Sequence, residues 1–174
     1  MLERLWGHRQ ATTPDVGNAA PDFSLATADG GRFTLSGAWQ KSPVVIAFFK
    51  ITCKTCQFTL PFLDRLYRSY RNDPIAFWGI SQDDAEKSRL FAEQFGVTFP
   101  IAVDGDGYPA SKSYVFSHVP TILLIDGEGR IRQRFSGFSK AGMIRLSEEI
   151  AQLTSRQPEP VFLASELVPD AKPG

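Results

Sequence analysis

An α/β domain is predicted by three observations. Short apolar runs alternate with amphipathic stretches of helical period, two of the runs are apolar on both sides, and glycine pairs mark a tight hairpin near each end of the alternating region. With 174 residues of which 43% are hydrophobic, the chain can bury one sizeable core. The composition divides it into a flexible lead-in (1–19), one folded domain (20–154) and a Pro-rich tail (155–174).

From Ala11 to Ala20 the chain is polar and small, with Pro14 and Gly17, which suits a flexible lead-in. "DFSLATADGGRFTL" then places two alternating segments around Asp29-Gly30-Gly31, where glycine supplies the positive φ of a tight turn, so a β-hairpin is expected. "PVVIAFF" (43–49) is β-branched and aromatic throughout, which suits a strand covered on both faces. From Cys53 onward Phe58, Phe62, Leu63, Leu66, Tyr67 and Tyr70 fall on one helical stripe that stops before Asn72-Asp73-Pro74, with Pro61 expected to interrupt it. "IAFWGI" (75–80) is a second buried strand. Ser81 and Asp83 are the expected caps of a helix running through Phe91 and Phe95 to Gly96. "FPIAV" is a short strand, and one helical turn is expected near Ala110 to Tyr114. "TILLID" and "RIRQRF" form a second hairpin across Gly127-Glu128-Gly129. Met143, Ile144, Leu146, Ile150 and Leu153 mark a closing amphipathic helix. Four prolines in the last nineteen residues forbid a long regular element there, and Val161-Phe162-Leu163 is expected to pack on the body.

Charge and polarity exclude several classes. Lys plus Arg and Asp plus Glu are 19 each, so no net field draws in nucleic acid or an anionic membrane. No segment reaches the roughly 18 apolar residues that span a bilayer. Glu3, Arg4, His8 and Arg9 break every apolar run at the start, so no signal-peptide core is expected there and the address reads as cytoplasmic. The two cysteines staple no distant segments, which agrees with a reducing compartment.

Those cysteines, Cys53 and Cys56, stand in "CKTC" between a buried strand and a helix start. At a helix N-terminus, unpaired N–H groups and the positive end of the dipole favour thiolate over thiol. A second sulfur one turn inward can close a small ring with the first. This suits disulfide exchange, with Cys53 attacking and Cys56 resolving, and Lys50 and Lys54 add positive charge nearby. The plainer alternative treats both thiols as small buried hydrophobes and both lysines as solvated surface.

The motifs, taken in order, resemble the redoxin branch of the thioredoxin-like superfamily over roughly residues 20–153. "APDFSL" is similar to its first strand, "VVIAFF" to its central strand, "CKTC" to its redox pair, and Pro61 to the proline five residues later. "GISQDD", "FPIAVDGDG", "VPTILLIDGEGRI" and Gly137 follow. The resemblance implies a three-layer α/β/α sandwich with a mixed central sheet and an added N-terminal β-hairpin. The dithiol would sit at the C-terminal end of a central strand. It also implies that Val119, Pro120 and Thr121 form a cis-proline loop lying against the dithiol and binding an extended substrate segment. A trans proline at a strand start is the plainer alternative.

The chain departs from that pattern in the groups expected to move protons. Thr52 stands where the family usually has Trp, Ala47 where many members carry an acid or amide, and Thr59 where extracytoplasmic relatives often have Glu. His118, where Gly is common, could exchange protons with the dithiol near neutral pH, or be an ordinary surface histidine.

The implied function is thiol-disulfide exchange with protein substrates, in a monomer needing no cofactor or metal and re-reduced by another dithiol protein. Three alternatives stand beside it. A thiol peroxidase lacks support upstream, where Lys50 occupies the place of the expected Thr or Ser and Pro43 is the nearest proline. A Cu(I)-binding chaperone would use Cys53, Cys56 and His118 as soft ligands. A redox-silent interaction module would keep only the fold.

Overall fold

The computed structural model describes residues 12–174, and the reading of residues 1–11 lies outside them. The alternating pattern becomes a seven-stranded mixed sheet in the order β2-β1-β5-β4-β3-β6-β7. Within it β3 (Val44–Phe49) lies between β4 and β6, and every residue of it is buried. That strand runs parallel to β4 (Ala76–Ser81), which is itself parallel to β5 (Ile101–Val103), and antiparallel to β6 (Thr121–Ile125). The expected hairpins are β1 (Ser24–Thr27) with β2 (Arg32–Thr34), and β6 with β7 (Ile131–Ser136). The first of these joins the sheet through an antiparallel β1–β5 pair.

Side chains alternate across β3, which is why a run apolar on both sides was needed. Val45, Ala47 and Phe49 enter one core beneath helices α2 (Lys54–Tyr70), α3 (Ala85–Phe95) and α5 (Lys140–Thr154). Val44, Ile46 and Phe48 enter the other, closed by α1 (Leu35–Trp39) and α4 (Pro109–Tyr114). Three layers result.

The local expectations fail in three places. Helix α1 is only five residues long, too short to show a periodic stripe, and it is held by the one wholly buried Leu35. Pro61 does not interrupt α2, which continues unbroken to Tyr70. The cap of α3 is Asp84, whose carboxylate accepts the Lys87 N–H at 2.8 Å, while neighbouring Asp83 is turned to another task.

The C-terminal segment runs beside α2 in the opposite direction. Tyr70 at the far end of the helix donates its hydroxyl to the Gln157 carbonyl at 3.3 Å. Arg65 holds Glu166 in a two-point ion pair (2.7 and 2.8 Å) and donates to the Val161 carbonyl at 2.7 Å. Val161 is buried and Phe162 sits edge-on to Phe62 at 5.0 Å, whereas Leu163 remains 54% exposed. Farther on, β9 (Ala171–Lys172) pairs antiparallel with β8 (Phe138–Ser139), a two-stranded element that four prolines did not prevent because it is only two residues long.

Candidate active site

The site forms where β3 delivers the chain to α2. The intervening loop is pinned from both sides. The Ile51 N–H donates to the Asp83 carboxylate at 2.8 Å, and the Gln57 side-chain amide donates to the Ile51 carbonyl at 2.8 Å. Cys53 is the N-cap of α2 in extended conformation, so its sulfur takes the position a Ser or Asp oxygen would occupy. That sulfur accepts the Cys56 N–H at 3.0 Å and lies 3.3 Å from the Val119 carbonyl, to which the thiol proton is donated.

The two thiols differ in environment. Cys53 is partly exposed, whereas Cys56 is fully buried in the apolar core under α2. Burial, followed by the hydrogen bond with Cys53, pushes the Cys56 thiol far above the usual thiol range, so it stays protonated at neutral pH. No buried carboxylate stands where the family pattern places one. Ala47 is enclosed in the core, and Thr59 is buried with its hydroxyl turned back on the Thr55 carbonyl at 2.6 Å.

Facing the dithiol is the loop before β6, and its Val119–Pro120 bond is cis. The loop is braced beneath by Thr121, whose hydroxyl donates to the His118 carbonyl at 2.7 Å and lies 2.7 Å from Ser136 Oγ. The Pro120 carbonyl accepts the Gly137 N–H at 2.8 Å. Pro120 and Thr121 are buried, so of the three loop residues Val119 alone borders the open cleft. His118 borders it too, but its imidazole is exposed, with Nδ1 2.7 Å from Ser117 Oγ, and makes no hydrogen bond to either sulfur.

The cleft has a volume of about 450 Å³, with Cys53, Lys54, Gln82, Phe116, Val119 and Pro173 among its walls. Two contributions to it escape sequence reasoning. Asp83 has the look of a helix cap and gives no sign of its bond to Ile51. Pro173 and Gly174 arrive through a contact more than a hundred residues distant in sequence, which no local pattern reports. Among the described residues no three His, Cys, Asp or Glu side chains converge as metal ligands, so the set that the Cu(I) alternative requires is not assembled.

The pattern of the AhpC/TSA family matches residues 16–134, more than half the chain. The chain belongs to the AhpC/TSA family. Within the thioredoxin-like superfamily, this AhpC/TSA member is similar to the thiol-disulfide oxidoreductase ResA of Geobacillus kaustophilus. The two are 31% identical over 129 residues, which cover 74% of this chain and 73% of the relative. Its fold is similar to that of a candidate thiol:disulfide interchange protein DsbE from Chlorobium tepidum. The TM-score is 0.73 and the identity 25%, over 82% of this chain and 99% of that one. This AhpC/TSA member is a protein dithiol-disulfide oxidoreductase, and Cys53 with Cys56 is its redox pair.

One expectation is corrected by the comparisons. The start of the chain predicts a cytoplasmic address, yet a secreted Mycobacterium tuberculosis disulfide oxidoreductase homologous to DsbE of E. coli shares this fold. It does so at a TM-score of 0.61 and 21% identity, over 75% of this chain and 96% of that one. The cytoplasmic reading failed for a physical reason. Both cysteines form the working pair, so their number says nothing about the redox state of the compartment, and polar residues at the start of the chain carry no address of their own. Among the described residues, no helix is long and apolar enough to cross a membrane.

Proposed function

We propose that Cys53 is the attacking thiol and Cys56 the resolving thiol in exchange with an extended polypeptide disulfide held against Val119–Pro120. One observation carries this reading: the sulfur of Cys53 is accessible and accepts a backbone N–H at the head of α2, while that of Cys56 is buried and kept protonated. Cys53 thiolate attacks one sulfur of the substrate disulfide, forming a Cys53–substrate disulfide and releasing the other substrate sulfur as a thiolate. Cys56 then gives up its proton, to the departing thiolate or to solvent, and attacks Cys53 Sγ. The Cys53–Cys56 disulfide forms and the second substrate thiolate leaves. Two electrons have passed to the substrate, and the reverse exchange with a dithiol protein restores the pair.

The buried Cys56 is a sheltered resolver. It cannot compete for the incoming disulfide, but it lies against Cys53 when the mixed disulfide has formed. Thr121 acts as a positioning residue by bracing the loop, and His118 lines the cleft without a hydrogen bond to either sulfur, so no proton transfer is assigned to it. The secreted relative supports work outside the cytoplasm, which cell fractionation of the native protein checks.

The test is trapping. Cys56→Ser should accumulate mixed disulfides with polypeptide substrates, and Cys53→Ser should neither trap nor reduce insulin. Retention of insulin reduction by both single variants would sink the assignment.

A further inference from the structure

The groove between the head of α2 and the cis-proline loop already holds a peptide, and it is part of this chain. Thr55, inside the Cys-Lys-Thr-Cys frame, donates its hydroxyl to the Pro173 carbonyl at 2.5 Å. Gly174 lies so close to the loop that a Cβ there would stand 2.5 Å from the Val119 carbonyl and 3.0 Å from His118 Cβ. Val119 is the residue whose carbonyl also contacts the Cys53 sulfur.

The approach to this point is built along several residues. Lys140 donates its N–H to the Asp170 carbonyl at 2.9 Å, β9 pairs with β8, and the Lys172 ammonium stands over the Phe58 ring at 4.9 Å. Gly137, with φ of 71°, has no side chain where a Cβ would come within 2.6 Å of the Lys172 carbonyl, so the segment passes directly over it. Residues 169–174 stay exposed on their outer side, so lifting them uncovers little apolar area. The contacts are those an extended polypeptide would make: main-chain pairing, one side-chain hydrogen bond to a main-chain carbonyl, and close backbone approach.

We infer that residues 170–174 are a built-in competitor of the substrate, occupying the groove that an extended polypeptide must enter to reach Cys53. The inference rests on the exchange reading above and sharpens its substrate class. A polypeptide disulfide has to displace the segment, whereas a small disulfide needs only the cleft of about 450 Å³ that Cys53 itself lines.

The test uses the full chain carrying Gly174→Leu, whose side chain has no room beside Val119. Protease cleavage within residues 167–172 reports that the segment has left. The kcat/KM for insulin should then rise about three- to tenfold relative to that for oxidised glutathione, mainly through a lower KM, because the competent fraction of grooves grows. A synthetic peptide of residues 168–174, added to the variant, should raise the KM for insulin again and do so competitively. A displaced segment with no change in the insulin-to-glutathione ratio would overturn the inference, as would a peptide without effect at millimolar concentration. Mixed-disulfide trapping by Cys56→Ser separates the two readings. Intact trapping with an unchanged ratio removes only the competitor, whereas failed trapping removes the exchange role itself.

Discussion

Cys56 combines complete burial with a chemical duty that requires it to ionise. Its thiol is pushed up chiefly by desolvation, so the folded reduced protein holds that proton more tightly than the unfolded chain does. The resulting contribution to stability is complete below the ordinary thiol pKa of about 8.5 and is lost as pH rises above it. The reduced protein should therefore lose thermal stability above about pH 8.5 faster than the oxidised protein, in which Cys56 has no proton to lose, and paired melting curves would show it. The same burial slows resolution. Thr59, one turn along from Cys56, is buried and has only its own helix to bond, so Thr59→Glu would place a carboxyl beside the core face of the resolving thiol. It should shorten the lifetime of the mixed disulfide about tenfold in single-turnover quenching, at a stability cost of about 2–4 kcal/mol for burying an acid. An unchanged lifetime in a folded variant would mean that proton release from Cys56 is not the slow step.

Helix α2 is the element on which the site depends, and its position is fixed from within. Asp64, nearly fully buried, accepts the Thr98 and Phe99 N–H groups at 2.5 and 3.2 Å and the Thr98 hydroxyl at 2.9 Å, and pairs with Arg68 at 2.6 Å. Asp64→Ala should destabilise the protein by about 2–4 kcal/mol in urea titration, because the donors are left buried and unpaired. The helix itself was legible because its stripe from Phe58 to Tyr70 repeats at helical spacing over about three and a half turns. Strand β3 was legible because every residue from Val44 to Phe49 is apolar. The redox pair was legible as a short motif whose spacing suits closure of a small ring, and the cis Val119–Pro120 bond was legible only through the family resemblance of Val119-Pro120-Thr121. What stayed hidden has a common cause. Leu35–Trp39 is shorter than any period, the choice between Asp83 and Asp84 as cap is settled by a distant N–H of Ile51, and the docking of residues 170–174 depends on partners far away in sequence. Pro61 was misread because a helix packed along its whole length tolerates one missing N–H that an isolated helix would not.

Across the whole molecule, the C-terminal segment links the far end of α2 to the redox centre, and its midpoint is an ion pair. Arg65 and the Leu163 N–H hold the Glu166 carboxyl at about 2, below the ordinary value of about 4.3. Depression of a carboxyl pKa on folding means that the pair contributes fully above about pH 4.3 and fades as pH falls through about 2. The Leu163 amide resonance should therefore titrate with a midpoint near the lower of these, and Arg65→Met should raise it toward the ordinary carboxyl range, with the Leu163 N–H still holding it below. From this anchor to Gly174 is a span of eight residues (174 − 166). A ligand held on so short a leash is present at an effective concentration in the millimolar range, whatever the number of protein molecules in solution. Entry to the groove then becomes a threshold on affinity that dilution of the protein cannot lower: polypeptides that bind more weakly than the leash competes are turned away, and those that bind more strongly pass.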